Sequence, residues 1–212
     1  MAKKKVARTK TPSQTGLQPG KPAQDKAELL GKEILAGKPA QDKAELLGKE
    51  ILAGKPVAAS QSEMVEVVLP NDANPLGNIL GGTVMHLIDI AAAIAAHRHS
   101  NGYVVTVSVD HLDFRHPIKV GGLIVLKSSV NRVFHTSIEV GVKVFAENIM
   151  TGERQHTSSA YVTFVAIDEE GRPKRVAPVI PQSPEEKRRY REAALRRNLR
   201  LASRQKGWSQ IV

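Results

Sequence analysis

The sequence predicts an α+β domain: one long central helix wrapped by a curved antiparallel sheet. Two observations carry that prediction. Residues 84–96 are apolar on every face apart from His86 and Asp89, and a helix apolar all round is a buried one. After it come four stretches with the two-residue alternation of strands, divided by Gly and Pro punctuation. A core helix followed by consecutive antiparallel strands is buried against the concave face of their sheet. The helix is too short and too interrupted to cross a bilayer, which takes about 20 consecutive apolar residues.

Residues 1–60 read as a flexible basic extension. Residues 20–36, GKPAQDKAELLGKEILA, recur without change as residues 37–53, and a third copy begins at Gly54 and stops after Pro56. Each unit resembles a short helix with Pro in its first turn and a Glu28/Lys32 or Glu45/Lys49 pair at i,i+4. Helices of about 14 residues are marginal alone, and two copies fall short of a solenoid. The start carries positive charge without an apolar segment behind it, so a secretory signal is not expected and a cytoplasmic setting is the default. Cysteine is absent, which excludes disulfides, thiolate metal sites and a cysteine nucleophile.

Charge divides the chain into three. Residues 1–60 hold 12 Lys+Arg against 6 Asp+Glu, residues 61–171 hold 7 against 12, and residues 172–212 hold 12 against 3. The formal charge of +10 therefore belongs to the two ends. Basic tails bind nucleic acid, anionic membranes or phosphate-bearing ligands, or they dock on their own acidic domain.

The central domain, residues 61–180, opens with a strand over 63–69. A loop rich in Asn, Asp, Pro and Gly follows and leads into the helix at Gly81 and Gly82. Bare glycine backbone at a helix N-terminus lets N–H groups and the positive end of the dipole approach a ligand, an arrangement suited to an oxyanion. Asp89 lies in the apolar helix, where a carboxylate must be paired, neutralised or used. A structural aspartate bonded to backbone or to His86 is the plain alternative. Gly82 and Asp89, seven residues apart, lie roughly 10 Å apart along one helix. Two antiparallel copies would bring one helix N-terminus to the other's middle, so a site shared across a dimer is expected.

Strands are then predicted over 103–114, 120–132, 135–148 and 154–167, with Pro117 breaking the first and Thr151-Gly152 turning the third into the fourth. His97 and His99 end the helix, where capping by imidazole suits the dipole. The remaining histidines show no metal-ligand spacing, and no metal is expected. After the proline-rich stretch 171–184, Ser183-Pro184-Glu185-Glu186 reads as a capping box that starts a basic C-terminal helix, over about 184–204 within a segment 181–212. It packs along its own domain or a neighbouring subunit. A sharper alternative has its arginines meet phosphates.

Residues 62–180 resemble the hotdog-fold acyl-CoA thioesterases, the small bacterial acyl-CoA hydrolases and related cytosolic long-chain enzymes. The resemblance rests on Asn74-x-x-Gly77-x-x-x-Gly81-Gly82-x-x-Met85-x-x-x-Asp89-x-x-Ala92, on residues 107–114 with Pro117-Ile118 and Gly121, and on Thr136-Ser137-x-Glu139-Val140. It implies hydrolysis of acyl-CoA, with coenzyme A as part of the substrate and no separate cofactor, in a homodimer or trimer of dimers. Asp89 would be the general base or nucleophile, Asn74 would position water or the carbonyl, and the backbone at Gly82, next to Gly81, would hold the oxyanion. Leu80 stands where these enzymes often have Phe, and Phe134-His135 where they commonly have Gly-Arg. Ser137, on a strand without a base beside it, supports the sheet rather than attacks substrate. A hotdog hydratase is the nearest rival, but its D-x-N-P-x-H histidine is Gly77 here. A non-catalytic acyl-CoA sensor with nucleic-acid-binding tails is the other. Against it, no helix-turn-helix pattern is evident and aromatic residues are only 4% of the chain.

Overall fold

The computed structural model describes residues 52–110 and 112–208, so what the sequence predicts for residues 1–51 lies outside the described residues. The element order is β1 (Lys55–Pro56), β2 (Ser62–Val67), α1 (Gly81–Ser100), β3 (Tyr103–Val109), β4 (Leu123–Phe134), β5 (Ser137–Glu147), β6 (Arg154–Ile167), β7 (Val179–Ile180) and α2 (Pro184–Trp208). The main sheet is antiparallel in the order β2-β4-β5-β6-β3, and β1 pairs in parallel with β7. This is the α+β hotdog architecture. No helix among the described residues is long and apolar enough to cross a membrane.

Strand alternation decides which side chains meet α1. Ile124, Leu126 and Val130 of β4, Ile138 to Val144 at every second position of β5, and Ala160, Val162 and Phe164 of β6 form one apolar face. Val84, Ile88, Ala91, Ala92, Ala95 and Ala96 of α1 pack on it, fully or almost fully buried. The alanines permit close approach, and Ser128 Oγ donates to the Ala91 carbonyl oxygen at 2.7 Å, tying sheet to helix.

Several expectations need correction. The helix is not covered all round within one chain: Met85 and Ile90 are exposed, and Asp89 is half-buried. A single five-stranded sheet can cover only one side of a helix. The 103–114 strand stops at Val109: its pairing with β6 passes a bulge between Thr106 and Ser108 and resumes through Ser108 and Val109, and the run toward Pro117 lies beyond it. Residues 55–60, read as part of the extension, belong to the fold. Val57 and Ser60 are buried, and Ser60 Oγ accepts from the Val130 N–H at 2.9 Å. His99 does not cap α1. It is buried and bonds through Nε2 to the Ala177 carbonyl oxygen, while Asn101, in the left-handed region, ends the helix.

The capping box at α2 forms as read. Ser183 Oγ accepts from the Glu186 N–H, and Glu186 Oε2 accepts from the Ser183 N–H. The helix then lies on its own domain, across the sheet face opposite α1. Arg196 reaches the buried Glu139, Arg132 stacks on Tyr190, and Arg200 grips Asp110 through both carboxylate oxygens.

Candidate active site

The loop from Pro70 to Leu80 is held by its own polar groups. Asn74 Oδ1 accepts from the N–H groups of Leu76 (3.0 Å) and Asn78 (3.2 Å), and Gly77 sits at φ +73, a conformation that favours glycine. Ile79 N–H donates to the Ile118 carbonyl and Val120 N–H to that of Gly77, which fastens the loop to the segment before β4. With its carbonyl oxygen so used, Asn74 keeps its amide Nδ2 as donor. Leu80, at the N-cap, offers no side-chain acceptor, and the first turn of α1 holds no acidic residue. The leading N–H groups at Gly81 and Gly82 thus carry the unneutralised positive end of a 20-residue helix.

Asn74 and Gly81 line one pocket of about 330 Å³, together with Val84, Phe114, Arg115 and His116. The Phe114 ring packs beside Gly81, so that a Cβ there would lie 3.5 Å from it. A Cβ on Gly82 would meet nothing within 4 Å, so that backbone is open to approach.

Asp89 is two turns further along α1 and does not line this pocket. Thr106 of β3 donates from Oγ1 to Asp89 Oδ1 at 2.8 Å. Thr106 pairs with the buried Phe164 across the sheet, so it stands on the face that carries α1. One chain therefore presents two separate groups: a carboxylate held by a hydroxyl, and a helix N-terminus beside an asparagine amide. His86 is exposed and Ser137 Oγ donates to the Phe134 carbonyl within its own turn, so neither joins these groups. Sequence reading missed Thr106. The available signal was a hydroxyl among valines on the strand that follows the helix.

A thioesterase superfamily profile matches residues 76–153. The Bacillus subtilis protein YkhA, named as an uncharacterized acyl-CoA thioester hydrolase, is 41% identical over 133 residues, which are 63% of this chain and 77% of that protein. The chain belongs to the thioesterase superfamily, among its acyl-CoA hydrolases. Mouse acyl-coenzyme A thioesterase 11 is likewise 41% identical over 140 residues, 66% of this chain, although the match spans only 24% of that longer protein.

Solved acyl-CoA hydrolases share the fold. An apo hexameric acyl-CoA thioesterase is 42% identical with a TM-score of 0.69, covering 72% of this chain and 97% of the other. The Staphylococcus aureus acyl-CoA hydrolase, solved with butyryl coenzyme A, coenzyme A and its disulfide, is 35% identical with a TM-score of 0.69, covering 74% and 96%. That enzyme has also been solved with an asparagine, an aspartate or a threonine replaced by alanine. The asparagine lies fifteen residues before the aspartate and the threonine seventeen after it.

Proposed function

We propose that this acyl-CoA hydrolase cleaves acyl-CoA to the free acid and coenzyme A at a site shared between two copies of the chain. The observation that carries the reading is the hydrogen bond from Thr106 to Asp89, which fixes one carboxylate on a helix otherwise apolar toward its sheet. Asn74, Asp89 and Thr106 also repeat the asparagine, aspartate and threonine spacing of the Staphylococcus aureus variants.

In this reading Asp89 takes a proton from water as the water oxygen attacks the thioester carbonyl. Negative charge then develops on the carbonyl oxygen, where the Gly82 N–H at the helix N-terminus stabilises it, with Gly81 keeping that end open. Asn74 orients the water or the carbonyl through its amide. Collapse of the intermediate breaks the C–S bond, the departing sulfur of coenzyme A takes the proton held by Asp89, and the carboxylic acid and the thiol leave with the Asp89 carboxylate restored. Loss of one such preorganised donor typically costs about 10²- to 10³-fold in rate.

Geometry supports the second copy. Gly82 and Asp89 lie roughly 10 Å apart on one helix, too far to serve one carbonyl. Among the described residues the edge of the sheet next to Asp89 is unpaired, and Val105, Val107 and Val109 of β3 are 43%, 43% and 44% exposed, a strand ready to pair with its own copy. A trimer of such dimers agrees with the hexameric relative. Gly77 supplies no side chain where a hydratase has its acid–base histidine, which favours hydrolysis.

Thiol release from acyl-CoAs graded from acetyl to palmitoyl tests the reading. The wild type turns over a subset of chain lengths, and Asp89→Asn loses that activity by orders of magnitude with its oligomer intact. Acyl-CoA binding without thiol release would overturn it and return the non-catalytic sensor.

A further inference from the structure

Coenzyme A brings several phosphate charges to its enzyme, and an arginine whose charge is not already spent is well suited to receive them. Beside the Asn74 pocket lies a larger cavity of about 930 Å³, between α2 and the first half of β6, lined by Asp110, His156, Tyr161, Arg196 and Arg200 among others. Its two helix arginines are committed. Arg196 is held by the buried Glu139, and Arg200 by both oxygens of Asp110 at 2.7 and 2.8 Å. His156 Nε2 is engaged with Ser159 Oγ.

Arg115 differs on each count. It lines both the 330 Å³ pocket that holds Asn74 and Gly81 and the 930 Å³ cavity under α2. Its side chain is exposed, and among the described residues its guanidinium has no hydrogen bond or ion pair. Its backbone is nevertheless fixed, because Arg115 N–H donates to the Thr157 carbonyl at 2.9 Å and Pro117 follows two residues later. An uncommitted guanidinium on an anchored backbone, at the junction of two cavities, is suited to bidentate capture of a phosphate.

We propose that Arg115 is the phosphate anchor of the substrate. It receives the phosphate-bearing part of coenzyme A where the pocket of the reacting carbonyl opens into the cavity under α2. This rests on the thioesterase reading above. It assigns the phosphate contact to the 112–117 connection and not to the arginines of the C-terminal helix, which instead shape the cavity wall.

The test compares the acyl-CoA turned over best with the S-acyl pantetheine of the same acyl group, which has the thioester and no phosphate. Wild type, Arg115→Ala and Arg115→Lys are assayed as full chains, and binding of coenzyme A and of pantetheine is measured by calorimetry. Arg115→Ala raises KM for acyl-CoA by about tenfold or more with kcat kept, and leaves kcat/KM for acyl pantetheine unchanged. Arg115→Lys falls between, since it keeps the charge and loses the fork. Equal loss on both substrates, or no change on either, overturns the proposal. If the wild type hydrolyses neither substrate, the thioesterase reading fails, while weaker coenzyme A binding with pantetheine binding unaltered still supports the anchor. Coenzyme A binding that is absent, or equal in wild type and Arg115→Ala, removes it.

Discussion

Thr106 on β3 and Asp89 on α1, seventeen residues apart, meet through a 2.8 Å hydrogen bond that joins the sheet's edge strand to the central helix. A hydrogen bond to a charged group is worth roughly 1.5–3 kcal/mol. Thr106→Val should therefore lower kcat/KM by about tenfold to a hundredfold, while the folded oligomer persists. Thr106→Ser, which keeps the hydroxyl, should retain most of the activity. Equal activity in Thr106→Val and wild type would show that the bond does not position the carboxylate.

A shared site makes a prediction that a single-chain site does not. Asp89→Asn and Asn74→Ala should each lose activity alone. When they are unfolded, mixed and refolded together, each mixed dimer holds one site with both native residues, and activity should recover to about a quarter of wild type. No recovery, with mixed dimers demonstrated by mass spectrometry, would place both residues of each site on one chain.

On the opposite sheet face, Arg196 donates from Nη2 to Glu139 Oε1 at 2.6 Å and lies 3.6 Å from the centre of the Tyr161 ring. Asn131 Nδ2 donates to the same carboxylate oxygen, and Glu139 is wholly buried. Removing one partner of a buried pair strands the other, at a cost of about 3–5 kcal/mol. Arg196→Ala should lower stability in urea by that order, and Arg196→Met combined with Glu139→Gln should cost distinctly less. A loss under about 1 kcal/mol in Arg196→Ala would show that water reaches Glu139 once the helix side chain is cut.

His99 gives the fold a dependence on pH. Burial pushes its imidazole below the ordinary 6.5, the Ala177 carbonyl opposes that shift, and the Lys55 charge adds to it. Among the described residues its Nδ1 is buried without a partner. The folded chain therefore binds a proton there at lower pH than the unfolded chain. Its stabilising contribution is complete above about 6.5 and is lost as pH falls from there through the lowered folded value. Denaturation midpoints should fall across that window, and less steeply in His99→Gln. Parallel slopes in both proteins would assign the effect to other groups.

Much of this was legible in the amino-acid order because it is local. The 154–167 strand was read with the bounds it has, since an uninterrupted alternation between two turns leaves little freedom. The Ser183/Glu186 capping box formed as read, because its partners are three residues apart. Asp89 stood out as a lone acid on an apolar helix. The same local logic misled where burial is set by distant chain. Periodicity made α1 buried all round, yet the sheet of one chain covers only the side of Ile88 and the alanines and leaves Met85 and Ile90 open.

The sequence by itself determined the helix, the strands and the Thr151-Gly152 turn, the glycine-opened N-terminus and the carboxylate, all of which follow from local spacing. Only the tertiary structure decided which groups meet. Thr106 with Asp89, Arg196 with Glu139 and Arg200 with Asp110 are 17, 57 and 90 residues apart. Such pairs depend on strand register and bulges, among them the shifts between Val130 and Arg132 and between Thr106 and Ser108. A one-residue shift sends a side chain to the other face of a sheet, so no local pattern fixes these partners before the sheet has closed around its helix.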